Sequence, residues 1–70
     1  MKTKKDILSE LIDEVKETLI RIEITTRYVE KKQAETQKDR YLQELAKLQA
    51  NKEENEDWLK FLEEELKNTK

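Results

Sequence analysis

The 70-residue chain contains no cysteine, histidine, glycine or proline. The lack of cysteine excludes disulfides, and the lack of both cysteine and histidine excludes the usual structural zinc sites. Tight turns between strands depend heavily on glycine and proline, so their absence argues against a small β-sheet domain. A chain this short buries only about 60% of its unfolded surface. We therefore expect it to gain stability by self-association or by binding a partner.

Histidine is also the side chain used most often for acid–base catalysis near neutral pH. The single serine, Ser9, has no candidate base beside it, and a two-helix chain offers no cleft that could bury a catalytic carboxylate. The acidic cluster of residues 53–57 lacks the glycine and the alternating spacing of a calcium loop. We expect no enzymatic activity, no cofactor and no metal site.

No apolar run exceeds two residues, so we expect no membrane-spanning segment. Residues 1–5 are basic, but no apolar stretch follows them, and the sequence does not predict a signal peptide. A cytoplasmic location is the resulting expectation, and the absence of cysteine fits a reducing compartment.

Charged residues make up 46% of the chain, the net charge is −2, and glutamate, lysine, leucine and glutamine, all good helix formers, are abundant. A nucleic-acid-binding chain should carry a basic stripe. The lysines and arginines instead form two small clusters, at the start of the chain and around residues 27–40, so binding to nucleic acid is not the favoured expectation.

Two heptad registers organise the apolar residues. In the first, apolar side chains and Thr26 alternate at spacings of four and three from Leu8 to Val29, which predicts an amphipathic helix. In the second, the same alternation runs from Tyr41 to Leu66, with the polar residues Lys52 and Asn55 at its middle. We call these two rows the seams.

The two registers do not join, because Val29 and Tyr41 are twelve residues apart whereas an unbroken heptad needs fourteen. A turn between them gives helices of about 4–33 and 36–68 within a single domain, with Thr36 and Asp39 as a capping pair. Two alternatives remain open. The chain could break at residues 51–55, where Asn51 and Asn55 offer helix-ending and helix-starting chemistry, or it could form one long kinked helix.

The predicted fold is all-α: an antiparallel, coiled-coil-like helical hairpin. Two helices alone should leave each seam half exposed, so we expect two hairpins to pair as a dimeric four-helix bundle. Lys52 and Asn55 then set the register of the seam. The predicted self-association seam comprises Leu8, Ile12, Val15, Leu19, Ile22, Val29, Leu45, Leu48, Leu59, Leu62 and Leu66.

Five further apolar residues are candidates for docking a partner protein. Ile20, Ile24 and Tyr28 follow each other at four-residue spacing, and at about 100° per residue Ile24 points ~160° away from Leu8. Such a second stripe is either the interior of a dimeric bundle or a docking strip. Trp58 and Phe61 share a helix face and are typical interface anchors, although the sequence favours the alternative that they cap the end of the core.

The leading functional hypothesis is a small dimeric adaptor or inhibitor that binds an unidentified protein through apolar helix faces. The first alternative is a hairpin dimer that binds RNA or DNA through the lysine clusters, with Tyr28 and Tyr41 available for stacking on bases. The second is a structural coiled-coil piece of a larger assembly.

Overall fold

The computed structural model describes residues 1–69, which form two α-helices joined by a short turn. α1 spans Lys4–Thr36 and α2 spans Asp39–Asn68, and they pack side by side in a hairpin 52 Å long. The described residues contain no β-strand. The prediction of an all-α helical hairpin is confirmed.

α1 begins with a complete capping box. The Asp6 amide donates to the hydroxyl oxygen of Thr3, and the Thr3 amide donates to the carboxylate of Asp6, each over 3.2 Å. These bonds satisfy two donors that a helix start otherwise leaves unpaired. The Asp6 charge also lies at the positive end of the helix dipole. The sequence therefore defines this helix start locally.

The turn consists of Gln37 and Lys38. Gln37 adopts the left-handed conformation (φ 54°, ψ 37°), and its amide donates to the Gln33 carbonyl over 2.7 Å, which ends α1. The expectation that Thr36 caps the second helix is wrong. Thr36 is the last residue of α1, where its hydroxyl donates back to the Lys32 carbonyl, and Lys38 precedes α2 without a side-chain cap.

α2 continues without a break through residues 51–57. The Asn55 side-chain amide donates to both the carbonyl and the side-chain oxygen of Asn51, at 2.8 and 3.1 Å. These bonds lie within one helical turn, so Asn55 stabilises the helix interior instead of starting a new helix. The alternative break at 51–55 and the single kinked helix are both absent from the structure.

One cluster of the core lies at the end of the hairpin away from the turn, where Leu62 of α2 packs with three residues of α1, namely Leu8, Ile12 and Val15. Ile22 and Val29 are buried nearer the turn. Leu11, Leu19, Leu59 and Leu66 pack against the Leu62 cluster. Val15 therefore packs against the apolar end of the α2 seam.

Candidate protein-interaction surfaces

The α1 seam is covered within a single copy of the chain. Its five buried residues are only 5–7% exposed: Leu8, Ile12, Val15, Ile22 and Val29. The premise that two helices leave this seam half exposed is therefore wrong for α1. On the α2 side only Leu62 is buried, at 1% exposure, while Leu45, Leu48, Leu59 and Leu66 remain half-buried, as does Leu19 of α1. In a single hairpin these buried side chains already pack against α2, and self-association through the seam stays a prediction.

The second apolar stripe lies on the outer surface of α1, with Ile24 opposite the seam and Ile20 and Tyr28 toward its two sides, where each borders a groove shared with α2. Ile20, Ile24 and Tyr28 are 57%, 64% and 59% exposed. Their four-residue spacing carries them along the outside of the helix, whereas the alternation of four and three keeps the seam facing α2. The structure therefore leaves this predicted docking strip outside the core.

Trp58 and Phe61 form a stacked pair on the surface of α2. Their ring centroids are 5.6 Å apart, their planes are inclined by 10°, and the side chains are 44% and 52% exposed. In a single hairpin both rings lie outside the core, and the favoured interpretation, that they cap the end of a bundle core, stays a prediction. Leu62 fills the core position, and its neighbour Phe61 faces outward.

A groove of about 360 Å³ runs along the middle of the hairpin, where the α2 seam is polar. Lys52 borders it opposite Leu19 and Ile22, where an apolar residue would continue the seam. Charged residues surround it, with Glu23, Arg27 and Glu30 on α1 and Glu56 beside Lys52 on α2.

A second cavity, of about 370 Å³, lies near the turn. Tyr28 and Tyr41 both border it, together with Arg40 and Glu44. The Arg40 guanidinium lies 4.8 Å from the centre of the Tyr41 ring, and the Lys32 ammonium lies 5.7 Å from that of Tyr28. The two tyrosines predicted to lie near the basic cluster are thus brought together.

Sequence reasoning missed two further exposed apolar side chains and one seam position. Ile7 and Leu42 each adjoin a seam residue and are exposed. Gln33 lies seven residues after Thr26 and so continues the α1 seam beyond Val29. It is half-buried, and among the described residues its side-chain oxygen is buried with no hydrogen-bond partner. Extending the heptad by one step would have found it.

Within the described part of the chain, no group of three or more acidic, histidine or cysteine side chains could hold a metal ion. Over the same residues, neither helix is apolar enough along its length to cross a membrane.

No protein-family model, curated protein or solved structure matches this chain.

Proposed function

We propose that this chain is a non-enzymatic interaction module: a small dimeric adaptor or inhibitor that docks on a partner protein through apolar side chains outside the hairpin core. The stacked, solvent-facing pair of Trp58 and Phe61 is the observation that carries the proposal. A cytoplasmic location belongs to the same proposal.

None of the four aromatic side chains lies in the core. Trp58, Phe61 and Tyr28 are exposed, Tyr41 is half-buried, and the buried residues are all leucine, isoleucine or valine. Large aromatics bury 150–250 Å² each when they find a partner and dominate interface energetics. A chain that builds its core from aliphatic residues and keeps its aromatics on the surface is suited to binding through them.

The chemistry around the pair indicates the partner surface. Trp58 and Phe61 lie on one helix face with Glu54 and Glu65, which are four residues before Trp58 and four after Phe61. Residues 51–70 as a whole carry four basic and seven acidic side chains. The partner expected from this arrangement has an apolar cleft for the two rings and a basic rim for the flanking carboxylates.

The test is a pull-down from the source cells with three forms of the chain: wild type, Trp58→Ala/Phe61→Ala, and Leu42→Ala. Leu42 is an exposed apolar residue near the other end of the hairpin, so its variant controls for nonspecific hydrophobic binding. We expect a protein that wild type and Leu42→Ala retain equally and that the double variant loses. Equal retention by the double variant, or no retained protein at all, contradicts the proposal.

Nucleic-acid binding at the turn is the second candidate function, because Tyr28, Tyr41 and Arg40 border one cavity there. Residues 27–44 include five basic and four acidic side chains, which weighs against a phosphate-binding surface. A salt titration separates the two candidates. Binding to phosphates weakens steeply between about 50 and 200 mM salt, whereas docking driven mainly by the Trp58 and Phe61 rings should weaken far less.

A further inference from the structure

Along the outer surface of α1, acidic residues lie before Ile24 and a basic residue lies after it. Glu10, Glu17, Ile24 and Lys31 recur at intervals of seven residues, or two helical turns, and so form a single line on the side away from α2. All four are exposed. Two acids lie on the N-terminal side of Ile24 and a base on its C-terminal side.

We propose that this line is where two copies of the chain associate, with the two α1 helices antiparallel and a twofold axis passing beside Ile24. An antiparallel pair centred there brings each residue on the line opposite the one equally far beyond Ile24. Ile24 then meets Ile24 of the partner subunit, and Glu17 meets Lys31 of the partner subunit. This arrangement deepens the proposed dimer and rests on it.

The side chains flanking the line fit the same arrangement. Ile20 and Arg27 lie on the same side of this line. A twofold axis brings that side of one copy against the same side of the other, so Ile20 packs on the aliphatic stem of Arg27 of the partner subunit. On the other side Arg21 meets the ring of Tyr28 of the partner subunit, a favourable cation–π pairing. Tyr28 already has Lys32 of its own chain 5.7 Å from its ring centre.

Charge selects this orientation over the parallel one. In a parallel pair Glu17 would face Glu17 and Lys31 would face Lys31, which is unfavourable at both ends of the apolar stripe. Three apolar side chains per copy give a contact below the standard interface of about 800 Å² per partner, so association is weak and concentration-dependent.

The experiment measures sedimentation equilibrium of the full chain up to about 1 mM, a range that covers weak complexes. The samples are wild type, Glu17→Lys, Lys31→Glu, an equimolar mixture of these two, and the combined variant E17K/K31E. Glu63→Lys, a charge reversal at an exposed position of α2, is the matched control. Circular dichroism verifies that each variant keeps its helical content.

We expect wild type and Glu63→Lys to dimerise equally, and each single variant on the line to associate at least tenfold more weakly. The equimolar mixture and E17K/K31E should both regain the wild-type affinity, because each restores opposite charges across the axis. Glu17→Lys also loses the pair with Arg21 of its own chain, 2.6 Å apart. Recovery in the mixture therefore cannot come from a repaired helix.

Two outcomes overturn the proposal, and they are distinguishable. A wild-type dimer that the line variants leave unchanged, or that the mixture fails to restore, overturns the antiparallel register and leaves the dimer standing. A wild-type chain that stays at 8.5 kDa up to 1 mM overturns the proposed dimer itself. Partner docking through Trp58 and Phe61 is tested separately by the pull-down.

Discussion

Phe61 stacks on Trp58 with 5.6 Å between ring centres, and its sequence neighbour Leu62 is the most deeply buried side chain of the hairpin core. Adjacent positions on α2 thus serve opposite purposes. Leu62 joins the helices, whereas Phe61 faces solvent with about half of its surface exposed.

Truncation of these two neighbours should separate stability from docking. We expect Leu62→Ala to lower the free energy of unfolding by about 2–5 kcal/mol, because it removes buried methyl groups and leaves a cavity. Phe61→Ala should cost less than about 1.5 kcal/mol, the upper range for one aromatic pair. Urea denaturation measures both values. Equal costs would make Phe61 a core residue and remove the support for docking.

Lys52 is one of the two polar residues of the α2 seam and lies beside Leu19, Ile22 and Leu48. We expect Lys52→Leu to raise the free energy of unfolding by about 1–2 kcal/mol, because the new side chain buries apolar area in the central groove. Lys60→Leu, at an exposed position on α2, is the control and should give no comparable gain. Thermal unfolding at low protein concentration checks both. A destabilised Lys52→Leu would show that the groove cannot close around leucine.

Gln33 is the one described residue with a buried side-chain oxygen or nitrogen lacking a hydrogen-bond partner. Replacement by methionine keeps the length of the side chain and removes this oxygen, so Gln33→Met should stabilise the hairpin by about 1 kcal/mol. Gln43→Met on the exposed face of α2 is the matched control. If urea midpoints move equally for both variants, the gain comes from helix propensity and not from the buried oxygen.

Among the described residues, Gln37 is the one with a positive φ. A side chain disfavours the left-handed conformation, so Gln37→Gly should raise the free energy of unfolding by about 0.5–1 kcal/mol. The same substitution at Gln43, inside α2, should cost about 1 kcal/mol. Opposite signs in thermal unfolding are the expected result. A loss at both positions would show that Gln37 does not require this conformation in solution.

The sequence predicted the helical hairpin because the heptad registers are regular on both sides of the turn. It placed the turn a few residues too early, at 34–35 instead of 37–38, because residues 30–40 are polar but compatible with helix and contain no glycine to mark the end. The helix end at Gln37 depends on a backbone conformation that the side chain disfavours. Local sequence signals therefore pointed elsewhere, to Thr36.

The candidate surfaces were identified in part. Ile20, Ile24 and Tyr28 are separated from the seam by helical geometry alone, so their position outside the core followed from spacing. The placement of Trp58 and Phe61 did not, because both adjoin seam residues and a small shift in helix rotation decides whether they turn inward. We expected the α1 seam to be half exposed, but five of its residues are buried. The spacing of residues along a helix does not reveal how closely two helices approach.

The cluster of Leu8, Ile12, Val15 and Leu62 joins parts of the chain that are more than forty residues apart in sequence. Loop-closure entropy grows with the number of residues between two contacting segments. This cluster therefore forms where closing the chain is entropically most demanding, while the polar middle of the α2 seam, at Lys52 and Asn55, adds little apolar contact between the cluster and the turn. Folding of this hairpin should accordingly be all-or-none, with the termini and the turn region ordering together.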